Sequence, residues 1–169
     1  NSFFGEIQKI FAFSLSGKNL EFILDIFSST PLGLCIDEKR IRQVLVNLVG
    51  NAIKFTKKGH VKLSVWVENP KTLKINETKI DEYIDLYMEV EDTGIGISKG
   101  MLRSIFDAFQ QESVSIAKKF GGTGLGLTIS KRLVESLNGT ITVESVLNKG
   151  SKFRIMIPDV NFIRDFNET

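Results

Sequence analysis

The stretch 37–59 constrains the fold most, because it combines a long helical pattern with a row of polar residues. Asp37 is a favourable N-terminal cap and Gly59 is a common helix stop, so one helix is predicted between them. At about 100° per residue, its apolar side chains occupy two neighbouring strips, and most of the helix is therefore expected to be buried. The strips contain Ile41, Val44, Leu45, Leu48, Ala52 and Phe55, and beside them Val46, Val49 and Ile53.

A polar row runs between these apolar strips. Its members, at helical spacing, are Gln43, Asn47, Asn51 and Lys54. Polar groups in such surroundings cost free energy unless they are paired. The row therefore faces either a second helix, with which it forms hydrogen bonds, or a cavity that holds a polar ligand. The helix alone leaves both alternatives open.

Length and composition indicate one globular domain. The chain has 169 residues, of which 42% are hydrophobic and 25% charged, enough to bury a sizeable core. The net charge of +2 and the absence of a dense basic run give no indication of nucleic-acid binding. No segment approaches the ~20 apolar residues that span a bilayer, so we expect no membrane contact by this domain and a cytoplasmic location.

The first residue is not methionine, and we expect the chain to be part of a longer protein, any membrane anchor of which would lie outside this sequence. The single cysteine, Cys35, excludes an internal disulfide, and its apolar neighbours predict a buried thiol rather than a nucleophile.

Five segments show the two-residue alternation of strands: 20–26, 61–68, 84–90, 141–143 and 153–157. Besides the helix at 37–59, helices are predicted at 3–16 and 125–137, with a short one from Ser98 to Ile105. The expected fold is α/β, a two-layer sandwich of a mixed, mainly antiparallel five-stranded sheet with three main helices on one face. Residues 69–82 are predicted as an exposed loop, Pro158 as the end of the domain, and 159–169 as a tail.

Asp92 continues the apolar face of the strand 84–90, which places a carboxylate on the core side without an obvious donor. Glycines follow it at 94 and 96, and a second group at 121, 122, 124 and 126 precedes a helix. Glycine allows close approach of the backbone to a ligand, and a helix N-terminus suits phosphate. The alternative is that these glycines only form turns.

Familiar nucleotide-binding motifs do not fit the chain. The P-loop pattern is absent, neither glycine group gives GxGxxG after a strand, and the protein-kinase motifs HRD and DFG are missing. Asp92-Thr93-Gly94 is similar to the catalytic triplet of aspartic proteases, but the long predicted helices contradict a mostly β protease.

Four segments, taken in order, resemble the catalytic and ATP-binding domain of sensor histidine kinases, in the ATPase superfamily shared with DNA gyrase and the large heat-shock chaperones. They are the asparagine box 47–56, the first glycine box 92–97, the phenylalanine box 106–109 and the second glycine box 122–127. The resemblance covers about 3–158 and implies a Bergerat-type ATP-binding fold with a lid at about 98–123.

The resemblance also implies roles for individual residues, with ATP and Mg²⁺ as the bound species. Asp92 would accept a hydrogen bond from the adenine amine, while Gly94 and Gly96 let the chain pass close to the nucleotide. Asn51 would hold Mg²⁺ through its amide oxygen, and Lys54 would reach the phosphates.

The second glycine box would hinge the lid and offer backbone donors to the phosphates. Its residues are Gly122, Thr123, Gly124, Leu125 and Gly126. Lys119 is a further candidate phosphate contact, for which Lys118 competes.

Asn47, beside the metal site, stands where hydrolysing relatives carry a glutamate base, and an amide does not take a proton from water. The resemblance therefore implies a poor ATPase that positions the γ-phosphate for another nucleophile. The only histidine, His60, lacks the sequence of a phospho-acceptor helix and is predicted to be structural. The acceptor would lie on the dimerisation and phosphotransfer hairpin of the full-length protein, which in turn would serve the receiver domain of a response regulator.

Three other functions remain as alternatives. One is a nucleotide-sensing or interaction module that transfers no phosphate. Another is a serine kinase of the anti-sigma type, which shares the pocket. A gyrase-like ATPase is the third, and the missing glutamate disfavours it.

Overall fold

The computed structural model describes residues 2–27, 30, 33–74, 80–107 and 125–163, and every structural statement below concerns this part of the chain. The helices are α1 (Ser2–Lys18), α2 (Glu38–Phe55), α3 (Lys99–Leu102) and α4 (Gly126–Glu135). The strands are β1 (Glu21–Ile26), β2 (Gly33–Leu34), β3 (His60–Lys74), β4 (Ile80–Asp92), β5 (Thr140–Val146) and β6 (Gly150–Ile163).

The strands form one mixed sheet in which β1, β3, β4 and β6 are successive neighbours, and both β5 and β2 pair with β6. Among the described strands, only β1 and β3 run parallel, and the other pairs are antiparallel. The predicted mixed, mainly antiparallel sheet is confirmed. In the described ranges it has six strands rather than five, because the two-residue β2 is too short to show a period in the sequence.

The core lies between the sheet and the helices, with α2 packed on β3 and β4 and flanked by α1 and α4. Seven of the nine apolar residues in the two predicted strips of α2 are buried, while Val46 and Phe55 are half-buried. The buried ones are Ile41, Val44, Leu45, Leu48, Val49, Ala52 and Ile53. The inward residues of β3 and β4 are buried as their alternation predicts: Val61, Leu63, Val65, Ile84, Leu86, Met88 and Val90.

Helix α2 begins as predicted and ends earlier than predicted. The Asp37 side chain accepts the backbone N–H of Arg40 at 3.1 Å. The last helical residue is Phe55, not a residue near Gly59, which instead makes a turn at φ +115°. The end is set by α1, because Lys18 Nζ donates to the carbonyl oxygens of Ile53 (2.6 Å), Lys54 (3.1 Å) and Thr56 (3.4 Å). A cation at a helix C-terminus is favourable because it meets the free carbonyls there.

The polar segment predicted as a loop at 69–82 is largely strand. Strand β3 continues to Lys74, and Lys71 pairs with Tyr83 beyond a register shift. A second register shift lies on the β4–β6 side. Both meet at Asp85, a buried carboxylate that accepts Asn69 Nδ2 at 2.8 Å and the backbone N–H of Asp159 at 3.1 Å. These irregularities shift the period, so the strands could not be followed in the sequence.

Burial opposes ionisation of Asp85, but the hydrogen bonds from Asn69 and Asp159 and the charge of Lys71 prevail. They hold the pKa of the Asp85 carboxyl below its usual value. This carboxylate therefore ties together the two irregular edges of β4.

Four smaller expectations were also wrong. Strand β6 runs past Pro158 to Ile163, where it pairs with β2. The short helix at Ser98 ends at Leu102. Cys35 is exposed, because it lies in the coil between β2 and α2.

The most buried face of α4 is the fourth of these differences. It carries Ser130 and Val134, whereas the helical spacing of Leu125, Ile129, Leu133 and Leu137 predicts that those four share the apolar face, and Ile129 is exposed. Ser130 is turned inward because it accepts a hydrogen bond from α2.

Candidate functional site

Asp92 lies on the core side of β4, as its register predicts. It pairs with Val61 of β3 and with Ser151 of β6, and only 8% of its surface is exposed. Its carboxylate accepts the N–H of Gly94 at 2.8 Å. Burial raises the pKa of the Asp92 carboxyl above its usual value, while hydrogen bonds from the backbone of Gly94 and Ser151 oppose that rise. Among the carboxylates that the structure describes, Asp92 is the one that is both deeply buried and raised in pKa. This combination is typical of functional sites.

Gly94 is required at this place because a side chain would not fit. A Cβ atom there would lie 2.6 Å from the carbonyl oxygen of Phe55, 2.8 Å from Asp92 Oδ1 and 2.9 Å from Thr56 Oγ1. Three oxygen atoms from the end of α2 and the end of β4 thus surround one glycine. The result is a small polar corner without side-chain bulk.

Thr56 is a residue of this corner to which the sequence analysis gave no role. Its surface is 0% exposed, and its hydroxyl has no hydrogen-bond partner among the described residues. The hydroxyl is nevertheless close enough to Asp92 to lower the pKa of that carboxyl. Ser151 was missed as well, because its place beside Asp92 depends on the pairing of β4 with β6. Thr56 does fall inside the asparagine box, which was the signal that could have found it.

The loop after Asp92 is held on both sides by the backbone. The N–H of Ile95 donates to the Phe55 carbonyl at 3.3 Å, and the Ile95 carbonyl accepts the N–H of Asn148 at 2.7 Å. Gly96 has a φ of +67°, and a Cβ there would collide with the carbonyl oxygen of Val146. The first glycine box is therefore fixed between the end of α2 and the turn from β5 to β6.

One member of the polar row on α2, Asn47, follows the first of the two alternatives that the sequence left open. Asn47 Nδ2 donates to Ser130 Oγ at 2.8 Å, which is an interhelical hydrogen bond. Gly126, at the start of α4, packs so closely on the Asn47 amide that a Cβ would collide with it. This contact brings the asparagine box and the last glycine of the second glycine box together.

The other members of the polar row lie before and after Asn47 on α2. Gln43 is exposed, whereas Asn51 and Lys54 are half-buried. Lys54 Nζ lies 5.2 Å from the centroid of the Phe55 ring. The partly accessible amide and ammonium groups thus follow Asn47 towards the corner at Gly94.

Several predicted site residues lie outside the described part of the chain: Lys119, Gly122, Thr123 and Gly124, with most of the predicted lid. Leu125 is described, and it is half-buried at the N-terminus of α4. At the other end of the lid, Phe106 meets the Phe153 ring edge-on at 6.3 Å, and its carbonyl accepts Thr128 Oγ1 at 3.0 Å. The start of the phenylalanine box is therefore attached to the sheet and to α4.

His60 opens β3 and is half-buried, and its backbone N–H donates to Thr93 Oγ1 at 3.0 Å. In the described ranges, no three His, Cys, Asp or Glu side chains come together as a metal site. None of the helices described is both long and apolar enough to cross a membrane.

Residues 36–161 match the family described as histidine kinase-, DNA gyrase B- and HSP90-like ATPases. The chain belongs to this family, and the predicted Bergerat-type fold is confirmed. Its relatives specify the branch: it is an ATPase domain of the histidine kinase type.

Two relatives illustrate the similarity. The chain is 43% identical over 141 residues to hybrid signal transduction histidine kinase A of Dictyostelium discoideum, covering 83% of this chain and 6% of that protein. It is 41% identical over 148 residues to the sensor protein GacS of Pseudomonas syringae pv. syringae, covering 88% of this chain and 15% of that protein. The chain thus spans a small part of these relatives.

Solved structures agree. Full-length ShkA in complex with AMPPNP superposes with a TM-score of 0.73 at 28% identity, over 97% of this chain and 30% of that one. The nucleotide-free catalytic domain of histidine kinase ThkA gives a TM-score of 0.67 at 26% identity, over 94% of this chain and 93% of that one.

Proposed function

We propose that this chain is the catalytic and ATP-binding domain of a two-component sensor histidine kinase. It would bind Mg²⁺–ATP and transfer the γ-phosphoryl group to a histidine outside the chain. The observation that carries the proposal is the Asp92 corner: a buried carboxylate beside a glycine that leaves no room for a side chain. Membership of the ATPase family and the similarity to histidine kinases support it.

At the base end, the Asp92 carboxylate would accept a hydrogen bond from the exocyclic amine of adenine. A carboxylate has more acceptor positions than the N–H donors around Asp92 occupy, and the buried setting strengthens a bond to the remaining ones. Gly94 and Gly96 would let the base and ribose approach the backbone. An amine at this place distinguishes adenine from bases that carry an oxygen there.

At the phosphate end, Asn51 would hold Mg²⁺ through its amide oxygen, and Lys54 would bind phosphate oxygens. The amide oxygen of asparagine is a known magnesium ligand in phosphoryl transfer. When bound, Mg²⁺ neutralises negative charge on the phosphates. The free N–H groups at the start of α4, with Gly122, Thr123, Gly124, Leu125 and Gly126, would bind phosphate oxygens, and Lys119 would add a charge.

Asn47 disfavours hydrolysis, because it does not activate a water molecule to attack the γ-phosphoryl group. Its amide donates a hydrogen bond to Ser130 and packs closely against Gly126. An amide cannot act as a general base that takes a proton from water. An imidazole nitrogen of the acceptor histidine would form the bond to the γ-phosphorus while the bond to the β–γ bridging oxygen breaks, and ADP leaves with that electron pair. The contribution of this chain is to hold the phosphates in line and to balance their charge.

The partners follow from this role. The acceptor histidine would lie on the dimerisation and phosphotransfer hairpin of the full-length protein. The phosphoryl group would then pass to an aspartate of a response regulator receiver domain. One relative is named a hybrid kinase, which supports a receiver domain as a partner.

The test supplies this chain with γ-labelled ATP, Mg²⁺ and the histidine-bearing hairpin of its parent protein as a separate polypeptide. We expect label on the hairpin in an acid-labile linkage, and much less of it with Asp92→Asn. An acid-stable label would indicate a hydroxyl acceptor. Hydrolysis at about 1 s⁻¹ or faster, without label on the hairpin, would contradict the proposal and favour an ATPase.

A further inference from the structure

Thr56 is buried, and its hydroxyl has no hydrogen-bond partner in the described part of the chain, although it borders the same space at Gly94 as Asp92 Oδ1. It directly follows α2, and its own backbone is fixed, since its N–H donates to the Ala52 carbonyl at 3.0 Å and its carbonyl accepts Lys18 Nζ. Among the buried side-chain polar atoms that the structure describes, the Thr56 hydroxyl is the one without a hydrogen bond. A buried hydroxyl without a partner is costly, so this position calls for a functional explanation.

The hydroxyl faces the group that is proposed to recognise the base. A Cβ atom added to Gly94 would lie 2.9 Å from Thr56 Oγ1 and 2.8 Å from Asp92 Oδ1, so the two oxygens border the same space. The other groups that act on the Asp92 carboxyl are the backbone N–H groups of Gly94 and Ser151 and, at longer range, the Glu91 carboxylate, which disfavours ionisation. Thr56 is therefore the side-chain donor beside this carboxylate in the described part of the chain.

We propose that Thr56 is a positioning residue for adenine recognition, whose hydroxyl donates to Asp92 Oδ1 when the base is bound and keeps the carboxylate ionised and aimed at the amine. This inference rests on the proposed ATP site. Thr56 has no exposed surface, so it acts through Asp92 rather than by touching the base. Donor and acceptor border the same space at Gly94, and the Thr56 hydroxyl already acts to lower the pKa of the Asp92 carboxyl.

Removal of the Thr56 hydroxyl should weaken nucleotide binding by an amount that depends on the base. Removing a donor from a buried carboxylate weakens its ionised form. ATP carries an amine that needs an ionised, well-aimed acceptor. Inosine triphosphate carries an oxygen at that place, to which a protonated Asp92 can donate. The variant should thus bind ATP more weakly and discriminate less between the two nucleotides.

The experiment measures the affinities of ATP and inosine triphosphate for the parent chain, Thr56→Val and Thr56→Ser, between about pH 5 and pH 8. Valine has the shape of threonine without the hydroxyl. We expect Thr56→Val to bind ATP about tenfold more weakly near neutral pH, the effect of one hydrogen bond to a charged group, with a smaller loss for inosine triphosphate. The pH below which ATP affinity falls should move upwards. Thr56→Ser should restore the parent behaviour.

Thr30→Val is the control, because it removes a hydroxyl that donates to the Val65 carbonyl at 3.4 Å, away from the residues assigned to the nucleotide site. It should lower stability and leave the ratio of the two affinities unchanged. If Thr56→Val does not fold, Thr56→Ala removes the same donor without adding bulk, and the same ratio decides.

An unchanged ATP affinity in Thr56→Val, or equal losses for both nucleotides, would overturn the inference and leave a packing role for Thr56. That outcome differs from failure of the proposed function. In the latter case the parent chain itself would bind neither nucleotide, or would not prefer ATP.

Discussion

Replacing Gly94 by alanine should destabilise the chain and also impair nucleotide binding. The new Cβ would lie 2.6 Å from a backbone carbonyl oxygen and less than 3 Å from two side-chain oxygens. The side-chain oxygens belong to buried residues, and the carbonyl belongs to the last residue of α2. None can yield cheaply, so the cost should resemble that of overpacking, about 1–3 kcal/mol.

Thermal and urea unfolding measure this cost. For a chain of this size, 1 kcal/mol corresponds to about 2–4 °C in Tm, so a fall of roughly 2–12 °C is expected. Gly5→Ala is the matched control: Gly5 lies inside α1, and a Cβ there meets no atom within 4 Å. That variant should be more stable than the parent by roughly 0.5–1 kcal/mol, because alanine favours a helix over glycine.

The binding half of the prediction uses a fluorescent ATP analogue. Because the alanine methyl group displaces Asp92 Oδ1, Gly94→Ala should bind the analogue at least about tenfold more weakly at temperatures where it is folded. If Gly94→Ala unfolds at the same temperature as the parent, the crowded corner is not rigid and the steric argument fails. If it is destabilised but binds normally, the corner is not the nucleotide site.

Four further predictions follow from individual contacts. Ser130→Ala should lose about 1 kcal/mol by urea unfolding, because the Asn47 amide loses its acceptor; an unchanged stability would show that water replaces the hydroxyl. Asp85→Asn should be destabilised by about 1–3 kcal/mol near neutral pH. Because the pKa of Asp85 is lowered in the fold, its contribution is present above the unfolded value and is lost as the pH falls through the folded pKa; a difference that persists in strong acid would contradict this. Burial raises the pKa of Asp92, so its contribution is full below the unfolded pKa and is lost as the pH rises through the folded one. Asp92→Asn should therefore gain stability relative to the parent over that rise while losing ATP binding, and a constant difference at every pH would refute it. Lys18→Met should lose roughly 1 kcal/mol and fray α2, which hydrogen exchange at its last turn would detect; protection equal to the parent would count against the cap.

The sequence predicted the features that depend on local periodicity. The buried face of α2, the inward faces of β3 and β4 and the core-side position of Asp92 all follow from a fixed period of 3.6 or 2. The four boxes then located the family, because their order and spacing do not depend on how the chain packs.

Features made by distant contacts were not predictable in this way. The end of α2 depends on Lys18, and the buried face of α4 depends on the hydrogen bond of Ser130 with Asn47. The extended β3–β4 pair was missed because Asp85 stabilises two register shifts. The environment of Thr56 needed both the end of α2 and the end of β4 in place.

The bonds of Lys18 have a mechanical consequence. The Lys18 ammonium group at the end of α1 donates hydrogen bonds to the carbonyls at the end of α2. The end of α2 also supplies oxygens that surround Gly94. A rotation of α1 must either break these bonds or drag the end of α2 with it. The last turn of α2 thus links α1 to the corner around Gly94, where we propose that adenine binds, and we expect force applied to α1 to be felt there without any contact with the nucleotide.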